Sequence, residues 1–415
     1  MLGRLRAVCG ALGAQYWRFF AAAFAFDLGT GLFLFLLSLY LIRQGFNEQS
    51  IGNFSAALTL GNLFGTLPAT VVARRYGVQR LLLAAFICSP LVAAARVFTM
   101  GAEWQTALAF AQGVALCAWP ICFAPAIAKL TTEANRSAGF SIVFATGIGM
   151  GTIAGLAGGW LPGLLLSHHL VHHDRNAMSG VLLMACALVL CGAWPLARLS
   201  LNERLASAGR RVRLLHPFLL RFLPPFLLWN VATGSFPVFG AIYLQNALGL
   251  PLAKVGTLFA ASQLAQCAAV LVSPLIFRRA GTARGVAAAQ IAAAGCMVLL
   301  AKVSGSSAPL VLYVLYSAFQ FMCGPGIYKL LMDRVPEMER STASAVQNAC
   351  GAVCQAASAA LTGFAIVHSG YATVLAANAV VAIGTGGLFF MLGARAATLD
   401  TDPIHDANAM REAHT

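Results

Sequence analysis

The chain has 415 residues, 59% of them apolar and only 10% charged, with 27 Lys plus Arg against 13 Asp plus Glu. Soluble globular chains carry about 25% charge, so an ordinary soluble enzyme, a disordered protein and a secreted disulfide scaffold are excluded. A polytopic membrane protein remains: twelve spanning helices would take about 240–300 residues and leave short loops, with no room for an extra soluble domain.

The net charge of +14 does not point to nucleic acid, because the basic residues sit in short clusters between apolar runs without interleaved aromatics. The eleven cysteines lack metal or disulfide spacing and read as small buried residues.

In chain order, Arg4 and Arg6 lead into an apolar run with no small-residue cleavage site, so the first helix is expected to be retained. Hydropathy places spans at 17–42, 51–73, 79–100, 104–128, 138–166, 178–197, 218–245, 253–277, 284–303, 308–332, 342–368 and 372–394. In lipid the backbone must satisfy itself, and period-2 alternation is missing, so these are helices. Of the 27 Lys and Arg, 22 fall on one face, which predicts cytoplasmic termini. Arg43, Arg96, Arg175, Lys254 and Lys302 fall on the other; Arg96, near a span end, is expected to snorkel. The organisation expected is a six-helix half (1–197), a cytoplasmic loop (198–217), a second half (218–395) and a cytoplasmic tail (396–415).

Span one carries Asp27, the only acidic residue deep inside a span. A carboxylate at that depth costs at least ~2.5–3.5 kcal/mol, and protonation would remove much of that cost. This suits a coupling site; a structurally paired Asp is the alternative. Thr30, Leu34 and Ser38 share its helix face. Span two holds Thr59, Asn62 and Thr66, and span eight holds Gln263 and Gln266, polar groups suited to interhelical packing. Span five has glycine at every fourth position (Gly147, Gly151, Gly155, Gly159), a smooth strip for close backbone approach. His168, His169, His172 and His173 crowd the next loop; they could ligate metal only if that loop were helical, and a solvated loop is favoured.

The two halves repeat. Asp27-x-x-Thr30-Gly31-x-Phe33 in span one matches Asn230-x-x-Thr233-Gly234-x-Phe236 in span seven at an offset of 203. At 204, Arg74-Arg75-x-Gly77 matches Arg278-Arg279-x-Gly281, and Gly147 and Gly159 match Gly351 and Gly363. Trp119 and Phe319 match at 200. An ordered series at nearly one offset, with six spans in each copy, means parallel repeats about an axis along the membrane normal.

This all-α plan, twelve transmembrane helices in two parallel six-helix repeats, resembles the major facilitator superfamily. The loop Ala73-Arg74-Arg75-Tyr76-Gly77-Val78-Gln79-Arg80 is similar to that family's signature Ala-Asp-Arg-x-Gly-Arg-Lys, and Arg278-Arg279-Ala280-Gly281 to its second copy. Arg74 and Arg278 stand where the family has an Asp that helps lock the halves. Pro336-Glu337-x-x-Arg340 also resembles a family loop. Gly151 to Trp160 partly resembles the antiporter motif Gly-x-x-x-Gly-Pro-x-x-Gly-Gly, with Leu156 in the Pro position and Trp160 in the last Gly position.

The resemblance implies alternating access around a cavity lined by spans one, four, seven and ten. The substrate-contact candidates are then Asp27, Thr30, Gln112, Trp119, Asn230, Thr233, Phe236, Tyr316, Phe319 and Gln320, with Pro120, Pro237 and Cys323 nearby. Arg74, Arg75, Gly77, Arg278, Arg279 and Gly281 form the conformational motif, and Asp27 the proton-coupling site. No Walker loop is present, so ATP does not drive transport directly. One carboxylate and no deep cation among these candidates favour a proton-coupled exporter of a neutral or cationic amphipathic compound. The alternatives are an uptake permease, a metal exporter, or a non-transporting receptor or enzyme on the same scaffold. No catalytic residue, resident metal or cofactor is expected. The expected partners are a small-molecule substrate, protons and membrane lipid, with no nucleic acid, for a monomer in a bacterial inner membrane.

Overall fold

The computed structural model describes residues 12–400 except 134, 170, 202–216, 235, 304–306 and 337–338, and leaves the side chains of 137, 144, 148, 236, 341 and 394–400 undescribed. The central loop from 202 and the tail beyond 400 lie outside the described residues.

The helices are α1 (Ala14–Arg43), α2 (Glu48–Tyr76), α3 (Val78–Phe98), α4 (Ala102–Leu116), α5 (Ala118–Leu130), α6 (Arg136–Ser167), α7 (Asp174–Ala197), α8 (Pro217–Thr233), α9 (Phe236–Ile242), α10 (Leu252–Ala280), α11 (Thr282–Lys302), α12 (Ala308–Arg334) and α13 (Arg340–Asp400). Among the described residues, eleven stretches are long and apolar enough to cross a membrane. The last of them, Thr342–Gly393, has 52 residues where about 20 suffice, and Gly370 (φ 76°, ψ 166°) breaks it in two. That gives the twelve spans expected.

Proline accounts for the two interrupted spans. Pro120 has no N–H to offer the Leu116 carbonyl, and the ladder breaks at Cys117 between α4 and α5. Pro237 likewise cannot reach the Thr233 carbonyl, where α8 ends before α9 and a π turn at Tyr243–Ala247 complete span seven. The short turns after spans two and eight each use one glycine with positive φ, Gly77 (93°) and Gly281 (84°), a conformation that L side chains resist. They are matched positions of the repeat.

The chain packs as two compact units. Unit one is Met1–Arg211, Gly234–Leu264 and Ala352–Val374; unit two is Val212–Thr233, Ala265–Gly351 and Leu375–Thr415. Apart from the one at 211/212, the boundaries fall within spans seven, eight, eleven and twelve. In unit one, Trp119 stacks on Phe26 (centroids 4.6 Å apart) and touches Phe19 and Phe86 at 5.9 Å. Glycines let α2 and α4 interlock: Gly61 abuts the Phe110 carbonyl and Gly113 the Leu58 carbonyl. With lipid outside, such close packing replaces the hydrophobic drive of a soluble core. Large apolar side chains lie on the outside instead, with Leu67 at 77% and Leu271 at 73% exposure.

Candidate functional site

Asp27 is half-buried on α1, and among the described residues no hydrogen bond or ion pair reaches its carboxylate. Gly147 of α6 makes its space: a Cβ added there would lie 3.3 Å from Asp27 Oδ2. The second repeat builds the same pair. A Cβ at Gly351 would lie 3.8 Å from Asn230 Oδ1, while Asn230 Nδ2 donates to the Phe226 carbonyl at 2.8 Å. Each half thus sets a polar residue of its first span against a glycine of its fifth.

One helical turn further along both α1 and α6, Gly31 and Gly151 line a cavity of about 380 Å³ within unit one. Its walls are mostly apolar and come from α1, α2, α3, α6, α9 and α10, including Leu34, Phe35, Leu58, Val238 and Phe259. Ser38, Ser55, Gln263 and Arg96 supply the polar groups. Of the sequence candidates on one face, Leu34, Ser38 and Pro237 line this cavity; Asp27 and Thr30 stand beside its Gly31 wall.

Arg96 corrects an expectation. It does not snorkel: it is 3% exposed and turns inward. Its Nη1 donates to Gln112 Oε1 at 2.7 Å and its Nε to Gln105 Oε1 at 3.2 Å. Gln105 in turn donates to the carbonyls of Arg96 (2.5 Å) and Thr99 (2.9 Å), holding the end of α3. Gln112 is therefore the buried holder of Arg96 and is not among the residues lining the cavity. Arg96 lies two residues from the end of α3, which disguised it; the sequence signal was Gln105 and Gln112, two turns apart on one face of α4.

Trp119 belongs to the aromatic cluster described above. In unit two, the Thr233 carbonyl freed by Pro237 accepts from Gln320 Nε2 at 3.3 Å, and Thr233 Oγ1 donates to Trp229 O at 2.8 Å. Two substrate candidates are thereby bonded to each other. Tyr316 is fully buried, Cys323 is buried, and Phe319 is half-buried. Phe236 falls where no side chain is described.

The end of unit one that carries Glu48 is closely packed. Gly52 of α2 packs on the Ala359 carbonyl, and Gly363 on the Glu48 carbonyl. Glu48 Oε1 accepts from Tyr371 Oη at 3.0 Å and from Asn246 Nδ2 at 3.3 Å, tying α2 to both later segments. Bonds to an ionised acceptor are the stronger kind. Glu48→Gln is expected to speed amide exchange in 246–259 and 359–371 by about three- to tenfold. Unchanged exchange would mean that Glu48 only stabilises the first turn of α2. The glycine strip meets α10 at this same end: a Cβ at Gly155 would lie 2.7 Å from Phe259 Cδ1 and 3.2 Å from Gly256 O, and one at Gly159 would lie 2.9 Å from Gly256 Cα.

Arg74, Arg75, Arg278 and Arg279 are exposed beside the two glycine turns, and neither Arg74 nor Arg278 has an ion pair among the described residues. Glu337 of the related loop lies outside the described residues. His168, His169, His172 and His173 are exposed and non-helical, so the condition for i, i+4 metal ligation is not met. Among the described residues no group of three or more His, Cys, Asp or Glu could hold a metal ion.

Comparison with curated proteins gives no match. Among solved structures, the nucleoside transporter NupG aligns with TM-score 0.73 at 13% identity, covering 92% of this chain and 99% of that one. A bacterial homologue of the human lysosomal transporter Spinster aligns with TM-score 0.75 at 11% identity, covering 91% and 96%. A bacterial metal transporter aligns with TM-score 0.66 at 14% identity, covering 92% and 99%. At these identities the likeness is one of fold. The family model described as Major Facilitator Superfamily matches residues 19–359, and with the twelve spans and repeated halves this places the chain in the Major Facilitator Superfamily of transporters.

Proposed function

We propose that this multi-pass membrane transporter is a proton-coupled exporter of an amphipathic small molecule, with Asp27 as the group that carries the proton. The observation that supports it best is a carboxylate inside a span with no hydrogen bond or ion pair among the described residues, one turn from a mostly apolar cavity. A carboxylate without a structural partner is free to exchange its proton as its surroundings change. The glycine strip of α6, similar to the antiporter motif, supports exchange. The expectation of a neutral or cationic substrate rested partly on the absence of a deep cation. Arg96 removes that part, which leaves amphipathic as the class.

The test is a substrate-induced pH change in proteoliposomes across a compound panel. Added outside, a substrate of a proton exchanger should make the lumen more alkaline; acidification would mean uptake with protons, and no response to any compound would sink the reading.

For the membrane, we propose that the Glu48 end faces outside and both termini are cytoplasmic, from the 22-to-5 division of Lys and Arg. In a cysteine-replaced background, single cysteines within 198–216 should be labelled only from inside, and within 168–176 only from outside. The opposite pattern overturns the orientation.

A further inference from the structure

Arg96 is a buried guanidinium whose only protein acceptors among the described residues are the neutral side chains of Gln105 and Gln112. A guanidinium has five N–H donors, and these two bonds leave three without a protein partner among the described residues. No carboxylate among them forms an ion pair with it. A buried charge is normally paired. Arg96 is at the same time one of the residues that line the cavity. The rest of that wall is mostly apolar, and the volume, about 380 Å³, suits one small amphipath and not a two-chain lipid.

Resting on the transporter reading, we propose that Arg96 is the anchor for the substrate's anionic group: an organic carboxylate is held by the guanidinium while its apolar body lies along Leu34, Phe35, Leu58 and Phe259. A planar fork of N–H donors matches the two oxygens of a carboxylate, and Gln105 and Gln112 hold that fork in place before a ligand arrives. Two amides do this without cancelling the charge, as an Asp or Glu would. The site then selects amphipathic acids over uncharged compounds of the same shape.

The test is equilibrium binding to the purified full-length protein at neutral pH, using octanoate and benzoate as probes beside octanamide and benzamide. The acids should bind at least about tenfold more tightly than the amides, a difference of about 1.4 kcal/mol. Gln112→Glu keeps the side-chain shape and puts a carboxylate on Arg96 Nη1, so it should cut the preference to under about twofold, as should Arg96→Gln. Arg96→Lys, which keeps the charge and loses the fork, should fall between. If Arg96→Gln does not fold, Gln112→Glu decides, since Arg96 stays in place. Equal binding of acids and amides, no binding of any of the four, or an acid preference that survives Gln112→Glu would overturn the proposal, and each would mean that Arg96 only ties α3 to α4. No proton gradient is present in this measurement. Its failure therefore leaves Asp27 coupling standing, and a failure of coupling leaves the acid preference standing.

Discussion

Asp27→Asn is expected to abolish proton-driven accumulation while the protein folds normally. The carboxylate makes no hydrogen bond or ion pair among the described residues, so the substitution breaks no contact. The shape is already accepted at the matched position, where Asn230 stands against Gly351 as Asp27 stands against Gly147. A gradient of one pH unit, worth about 1.4 kcal/mol, can hold a tenfold concentration ratio through one proton. In Asp27→Asn that ratio should fall to about one, with downhill flux retained. Asp27→Glu keeps the charge but must fit an extra methylene beside Gly147, so partial accumulation with a shifted pH profile is expected. Accumulation ratios in proteoliposomes, with size-exclusion profiles as the control for folding, read both variants. Normal uphill transport by Asp27→Asn would remove this residue from the coupling mechanism.

Gly155→Leu should lower turnover by at least about tenfold. The side chain would be built into Phe259 and against the α10 backbone at Gly256 O and Ala260 N, where a Cβ alone comes within 3.3 Å. Overpacking of this kind costs typically 1–3 kcal/mol, and backbone on the far side gives way less easily than a side chain. The burden falls on the state in which α6 and α10 touch, so the variant should favour separation of those helices at the Glu48 end. Gly256→Leu should act alike from the opposite helix, because its Cβ would lie 2.7 Å from Gly159 Cα. Gly163→Leu is the control on α6: nothing lies within 4 Å of a Cβ there. Wild-type turnover in Gly155→Leu would show that close contact here is dispensable to the cycle.

The twelve spans were legible because lipid demands long apolar helices, and the repeat because duplicated positions such as Asp27 and Asn230 keep nearly one spacing along the chain. The glycine strip could be read as a contact surface but not matched to α10, since helical spacing names a face and not its neighbour. The pairing of Gln320 with the Thr233 carbonyl was hidden for the same reason: Pro237 announces a free carbonyl, but nothing local says which span reaches it. Arg96 was misread because an arginine two residues from a helix end can turn either way, and only the amides of a neighbouring helix decide. Nothing local marks Glu48, in the first turn of α2, as a tie between segments, because its bonds to Asn246 and Tyr371 come from roughly 200 and 320 residues away.

The asymmetry between the matched pairs has an electrical consequence. One half holds a carboxylate and the other an amide, so this pair of positions carries at most one proton per cycle. If that proton is exchanged for one exported molecule, the net charge moved depends only on the cargo: none for a monocation, one for a neutral compound, two for a monoanion. Each charge moved is worth about 2.3 kcal/mol per 100 mV across the membrane. The voltage dependence of transport would then report the ionic state of the cargo, and a carboxylate seated on Arg96 would make export the most strongly voltage-driven of the three.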